Sequence, residues 1–270
     1  MSGKKKHLIY PLFLPMQGCP HRCIYCDQNK LSGATDFDVE AAVAQVNEYV
    51  QRNAVREKQV AFYGGTFTAL DFAFRTSLLD RMLAVSDAQT SFRISTHPLY
   101  IDADILAWCR DKRIRTIELG IQDFDDSVLS QSGRGYTGNQ AMAAAKLIQD
   151  GGFELGVQLM PGLPGWTESS IQANHTALEE LKPNLLRLYP LIVIKGTTLA
   201  ILYAAGKYLP LTLDEAVRQC ADYFPLAERN GIRIIKLGIP TNIDTEDILA
   251  GPWHPTFGEL VKTHKSPSIR

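Results

Sequence analysis

The chain reads as an α/β protein of parallel strands and crossover helices, an open, partial (β/α)6 TIM-like barrel. Three observations predict it. Apolar segments of strand length alternate with helical patterns, the order of repeated βαβ units. The 270 residues, 45% of them hydrophobic, suffice for one large core. Pro11 and Pro15 fall in the first strand segment and remove ladder donors, which confines that strand to a sheet edge. An open six-stranded barrel has such an edge, and a closed eight-stranded one has none.

The six strand segments are Leu8–Leu14, Gln59–Tyr63, Phe92–Thr96, Thr116–Ile121, Glu154–Met160 and Leu185–Ile192. Helical periodicity follows them at Val39–Arg52, Phe74–Val85, Asp102–Lys112, Asn139–Gln149, Glu168–Leu181 and Leu213–Asn230. Asp38 and Thr167 stand where N-caps are needed, because their side-chain oxygens can accept from first-turn N–H groups. A further strand near Ile232–Leu237 is expected to cover the second rim. Past Pro240 the pattern fades into Ile243–Leu249 and a Gly251-Pro252 turn.

A net charge of −1 gives no overall attraction for nucleic acid, and Lys4-Lys5-Lys6, the one dense basic cluster, reads as a solvated tail. No apolar run reaches the ~18 residues needed to cross a bilayer, and the N-terminus lacks a cleavable signal pattern. The expected location is cytoplasmic, with no membrane partner. No His–carboxylate or Ser–His constellation appears at telling spacing, so ordinary acid–base or nucleophilic chemistry has no support.

Cys19, Cys23 and Cys26 lie in the run Cys-Pro-His-Arg-Cys-Ile-Tyr-Cys after the first strand. Disulfides cannot use up three neighbouring thiols, and an odd total of five cysteines argues against an oxidised framework. Three thiols in one loop suggest metal or iron–sulfur ligands. Spacing alone leaves zinc open, with His21 as a strained fourth ligand, beside a cluster held by three thiolates with one iron left free. Gly18 and Pro20 would help fold the loop. Cys109 and Cys220 sit in helical patterns and read as buried hydrophobes.

Function in parallel barrels gathers at the C-terminal strand ends, and polar residues stand at those ends here. The second strand runs into Tyr63-Gly64-Gly65-Thr66, a strand-ending turn or a backbone edge open to a ligand. The third ends in Ser95-Thr96-His97-Pro98, whose hydroxyls could bond a ligand or merely cap the strand. Glu118 and Gln122 share a face with Gly120 by period-two alternation. Pointing into a barrel they need partners, either each other's neighbours or a ligand. Arg134, in the Gly133-Arg134-Gly135-Tyr136 loop, is a carboxylate partner or a solvent-facing arginine. Gln158 leads into the stiff Met160-Pro161-Gly162-Leu163-Pro164-Gly165 segment, and Leu188 and Leu191 flank Tyr189-Pro190 in the sixth unit.

The C-x3-C-x2-C loop with aromatic Tyr25 before its last cysteine resembles the signature of the radical S-adenosylmethionine (radical SAM) superfamily. The wider string Phe13-Leu-Pro-Met-Gln-Gly-Cys-Pro-His-Arg-Cys-Ile-Tyr-Cys-Asp-Gln-Asn-Lys-Leu-Ser-Gly33 resembles more narrowly the radical SAM module of the Elongator catalytic subunit and its shorter bacterial relatives, without the acetyltransferase domain. The likeness runs from about Leu8 to Val261.

The resemblance implies a [4Fe-4S] cluster on Cys19, Cys23 and Cys26, with S-adenosylmethionine chelated at the open iron and cleaved reductively to a 5′-deoxyadenosyl radical. It implies methionine-end contacts at Gly64 and Gly65, with Thr66 where many relatives have Glu. It implies further cofactor contacts at Thr96, Glu118, Gln122, Arg134, Gln158, Leu188 and Leu191, the last two at an adenine. His97 stands where relatives often carry Arg, and Gln158 where many carry an acid. Implied partners are an electron donor such as a flavodoxin or ferredoxin, and a substrate that is tRNA, at the wobble uridine, or a small molecule. A broader resemblance to oxygen-independent coproporphyrinogen III oxidase implies a tetrapyrrole instead. A non-catalytic protein binding a cluster, haem or zinc is the third reading. Residues 1–240 are expected to form the core domain. Residues 241–270 would form a C-terminal extension, cut short, because Leu249-Ala-Gly-Pro-Trp-His-Pro-Thr-Phe-Gly-Glu-Leu-Val261 resembles such an extension's opening.

Overall fold

The computed structural model describes residues 8–14, 18–19, 23–32, 36–239 and 243–264. Lys4–Lys6, Pro15, Pro20 and His21 lie outside the described residues. Seven parallel strands form one sheet in the order β1-β2-β3-β4-β5-β6-β8. They are β1 (Leu8–Phe13), β2 (Lys58–Tyr63), β3 (Thr90–Thr96), β4 (Ile114–Gln122), β5 (Glu154–Leu159), β6 (Leu185–Leu188) and β8 (Arg233–Leu237). The sheet curls into a half-barrel. Pro11 lies in β1, an edge strand paired only with β2, and the rim strand anticipated near Ile232–Leu237 is β8, paired with β6.

The crossovers α2 (Val39–Arg52), α3 (Phe72–Ala84), α4 (Ala103–Asp111), α6 (Gly138–Asp150), α7 (Glu168–Leu181) and α9 (Leu213–Asn230) follow the expected helical patterns within a few residues. Asp38 caps α2 by accepting from Ala41 N–H at 3.1 Å. At the start of α7 the Ser170 hydroxyl reaches back and accepts from Thr167 N–H at 2.9 Å.

Alternation along the strands sorts the two faces of the sheet. Val60, Phe62, Phe92, Ile94, Ile117, Leu119, Leu155, Val157, Leu186 and Leu188 pack with the helices in one continuous core. The residues between them, including Gln59, Arg93, Glu118, Gln158 and Arg187, face the concave side. One layer is therefore apolar and the other polar.

The sixth strand stops at Leu188, short of the Ile192 expected from its apolar run. Pro190 cannot donate to a ladder, and the chain leaves the sheet at Tyr189. It then forms β7 (Val193–Ile194), which pairs antiparallel with β9 (Ile248–Ala250). Three short helices escape the sequence patterns: α1 (Gln28–Ser32), α5 (Asp126–Gln131) and α8 (Thr198–Ala204). A final helix, α10 (Phe257–Thr263), packs on α9 and β8.

Asp123, just past β4, is buried with its oxygens accepting from Asp125 N–H at 2.8 Å and Asn174 Nδ2 at 3.0 Å. Burial raises its pKa from 3.8 to about 6, against those hydrogen bonds. Between these values the folded state keeps a proton that the unfolded chain has released, so stability falls as pH rises through the window. Urea unfolding of wild type and Asp123→Asn should therefore show the wild type losing about 2 kcal/mol relative to the variant from pH 4 to pH 6.5.

Candidate functional site

The C-terminal ends of the strands surround one cavity of about 420 Å³. Its wall takes Phe13 from β1, Tyr63 to Thr66 after β2, Ser95 to His97 at β3, and Glu118, Gly120 and Gln122 from β4. Gln158 and Met160, then Arg187 and Tyr189 to Ile192, and further on Lys236 and Ile239 also line it. Cys19, Cys23, Tyr25 and Cys26 line the same space.

The cysteine segment lies across the strand ends and is fastened at several points. Gly18 has φ +70°, and a Cβ there would stand 2.3 Å from the Thr66 carbonyl oxygen, so only glycine allows the segment this close to the turn after β2. Cys19 Sγ lies 3.5 Å from Thr66 Oγ1. The Cys26 N–H donates to the Cys23 carbonyl at 3.1 Å, and the Ile24 carbonyl accepts from Leu199 N–H at 2.8 Å. Tyr25 packs in a second core with Val128, Leu163, Leu191, Val193 and Leu199, drawn from α5, α8, β7 and the loops after β5 and β6. Its buried hydroxyl has no hydrogen-bond partner among the described residues. Lys30 Nζ reaches Asp247 at 2.7 Å.

Arg134 is buried, which sets aside the solvent-facing reading of that loop arginine. Its Nη1 donates to Cys23 Sγ at 3.0 Å, its Nη2 to the Gly120 carbonyl and its Nε to the Tyr136 hydroxyl at 3.1 Å. Burial opposes its charge, but Tyr25, Tyr136 and Cys23 outweigh that and hold its pKa above the ordinary arginine value.

Glu118 is the centre of a buried charge network. Burial alone would raise its pKa, yet Arg187 and Arg93 lower it. Its Oε1 accepts from Arg93 Nη1 at 2.6 Å, and Arg187 grips both oxygens through Nε and Nη2. Arg93 also bonds Gln59 and lies 3.7 Å from Glu154, which binds Arg233 at 2.8 Å. Gly156 makes room for this, since a Cβ there would meet Glu118 Cγ at 2.8 Å. Glu118 and Gln122 share the concave face as alternation requires but bond to different partners. Gln122 Oε1 accepts from Gln158 Nε2 at 3.0 Å. Thr96 shares a 2.5 Å hydroxyl contact with Thr68, and His97 accepts from Leu99 N–H and stands edge-on to Tyr136.

Of the residues singled out in the sequence, Gly64, Gly65, Thr66, Thr96, Glu118, Gln122, Arg134, Gln158, Leu191 and the three cysteines all line the cavity. Leu188 is the exception and a correction: its side chain points to the helices and is buried in the main core. Period-two alternation from Arg187 could have said so. Sequence reasoning also missed Arg93, Arg187 and Lys236, because nothing in a lone arginine or lysine marks it as facing a barrel interior. Cys109 and Cys220 are fully buried, and burial pushes the Cys109 thiol up to about 12, so both are inert thiols.

Among the described residues, no three His, Cys, Asp or Glu side chains are grouped to hold a single metal ion. A cluster asks for a different arrangement, one thiolate for each of several irons. Three thiols facing one cavity, with a guanidinium on one of them, fit that donor chemistry.

Residues 13–176 match the sequence profile of the Radical SAM superfamily, more than half of the chain. The chain belongs to the radical SAM superfamily. Residues 183–266 match the Radical_SAM C-terminal domain. This radical SAM chain is 24% identical, over 90% of its length and 52% of the relative's, to tRNA uridine(34) acetyltransferase of Methanocaldococcus jannaschii. It is 27% identical, over 73% of its length and 55% of the relative's, to the heme chaperone HemW of Bacillus subtilis. The chain thus spans about half the length of these two curated relatives. Among solved structures, archaeal Elp3 of Methanocaldococcus infernus superposes with a TM-score of 0.72 at 20% identity, covering 95% of this chain and 62% of that one. Membership of the radical SAM superfamily and the half-barrel are as the sequence led one to expect. No helix among the described residues is long and apolar enough to cross a membrane.

Two substitutions test this geometry. Gly18→Ala, forcing a left-handed conformation and a clash with backbone, should cost about 2 kcal/mol or more in urea unfolding. Glu118→Gln strands two buried arginines and should cost about 3–5 kcal/mol by the same measurement.

Proposed function

We propose that this chain carries the reaction core of a radical SAM enzyme in which Cys19, Cys23 and Cys26 hold a [4Fe-4S] cluster and the surrounding cavity holds S-adenosylmethionine. The observation that carries the reading is the meeting of the three thiols, the Gly64–Gly65 edge and Arg134 around one cavity at the strand ends. Together the two cofactors supply one-electron reductive cleavage that yields methionine and a 5′-deoxyadenosyl radical.

The chain's own residues orient and enclose. Gly64, at φ +103° with Leu14 backbone packed behind it, leaves a bare main-chain edge for the methionine end. Arg134 fixes the position of the Cys23 sulfur at the cavity wall through its hydrogen bond. The Gln122–Gln158 amide pair and Thr96 offer neutral hydrogen-bonding groups to a ribose or methionine. Leu191 and Tyr25 add apolar surface that keeps water from the reacting centre. Reducing equivalents would come from a flavodoxin- or ferredoxin-type donor.

The substrate we favour is the wobble uridine of tRNA, supported by the relative named tRNA uridine(34) acetyltransferase. A tetrapyrrole, as substrate or cargo, is the second reading, and the heme chaperone relative supports it.

Anaerobic reconstitution tests the proposal through iron and sulfide content, a change in the cluster's EPR signal on adding S-adenosylmethionine, and 5′-deoxyadenosine after reduction. Cys23→Ala should lose cluster and cleavage together; a variant that keeps both overturns the ligand assignment. Stimulation of cleavage by total tRNA or by coproporphyrinogen decides between the two substrate readings.

A further inference from the structure

The concave face carries a cation that neither the charge network nor the cofactor reading uses. In the pairing of β6 with β8, Leu186 opposes Ile234 and Arg187 opposes Lys236, so Ile235 is skipped. A bulge of this kind re-aims the residues beyond it. In an unbroken strand Arg233 and Lys236 would face opposite sides; here Arg233 bonds Glu154 inside the half-barrel and Lys236 lines the cavity.

Lys236 therefore sits beside Arg187 on the adjoining strand, and like charges so placed are unfavourable unless an anion lies between them. Among the described residues, no carboxylate of the interior is spare. Glu118 serves Arg93 and Arg187, while Glu154 serves Arg93 and Arg233. Three arginines against two glutamates leave one positive charge, and Lys236 makes two. The Lys236 side chain has no hydrogen-bond or ion-pair partner among the described residues.

Beside it the Tyr189 hydroxyl oxygen accepts from Arg187 Nη1 at 3.1 Å, which leaves the O–H proton with no acceptor among the described residues. Both groups line the cavity. Lys236 pairs with Arg187, Arg187 with Gln158 and Gln158 with Gly120, so Lys236 stands level with Gly120, to which Arg134 is tied, but three strands and about 14 Å across the sheet from it; Tyr189 lies two residues nearer the strand ends. Ile192, Ile194 and Ile239 supply apolar wall to the same space.

We propose that Lys236 and the Tyr189 hydroxyl form a subsite for an anionic group, carboxylate or phosphate, on the molecule the enzyme acts upon. The inference rests on the reading of this cavity as the reaction chamber. Lys236 supplies the charge and Tyr189 a directed donor. Arg187, held by Glu118, stiffens Tyr189 from behind.

The test is calorimetric titration of the cluster-loaded full chain with inorganic phosphate and, separately, with malonate. One of the two should bind, with affinity falling about tenfold or more in Lys236→Gln, recovering in Lys236→Arg and unchanged in the exposed control Lys207→Gln. Preference for phosphate assigns a phosphate-bearing substrate, and preference for malonate a carboxylate-bearing one. The subsite is overturned if neither anion binds, if Lys236→Gln binds as tightly as wild type, or if S-adenosylmethionine displaces the anion and itself binds more weakly to Lys236→Gln. Should the cluster fail to assemble while Lys236-dependent anion binding persists, the subsite stands and the radical reading fails; the converse result removes the subsite alone.

Discussion

The structure turns on one buried carboxylate. Glu118 is gripped by Arg93 on one neighbouring strand and by Arg187 two strands away, with Tyr63 of β2 brought in through Arg187. Charges with so little solvent access are costly unless paired and fully bonded, so this network dictates which side chains can face inward and where. Its extension through Glu154 and Arg233 joins six of the seven strands by polar contacts across the concave face. A half-barrel has no closed ring to fix its curvature. Here the span between β3 and β6 is set by two arginines meeting on one glutamate.

Above this layer the loops form a roof. The turn after β2 receives Gly18, β4 sends Arg134 to Cys23 through its own Gly120 carbonyl, and α8 receives the Ile24 carbonyl. Two layers of different character result. The lower one is rigid and charged, and the upper one presents thiols, amides and bare backbone around the space between them. Such a division suits radical chemistry, where the reacting groups need fixed positions and little water.

Much of this was legible in the sequence because it rests on local rules. Pro11 declared an edge strand, alternating apolar segments declared parallel βαβ units, and alternation around Gly120 put Glu118 and Gln122 on one face. The cysteine spacing pointed to a donor set before any fold was known. What stayed hidden depends on partners distant in the chain. Arg93 and Arg187 acquire meaning only from Glu118, and the fate of Leu188 only from the side of the sheet it faces. The bulge at Ile235 has no composition signal, yet it alone decides that Lys236 looks inward. The helices α5 and α8 are too short for periodicity to reveal, although Asp125 and Thr197 cap them well.

The link between Lys30 and Asp247 spans 217 positions of the chain. Together with the Leu199–Ile24 bond, it means that the thiol-bearing loop is clamped by α8 and by the turn before β9, both of which follow it by more than 170 positions. Its anchorage is therefore a property of the assembled half-barrel, and a change at Asp247 would loosen the loop without touching a thiol.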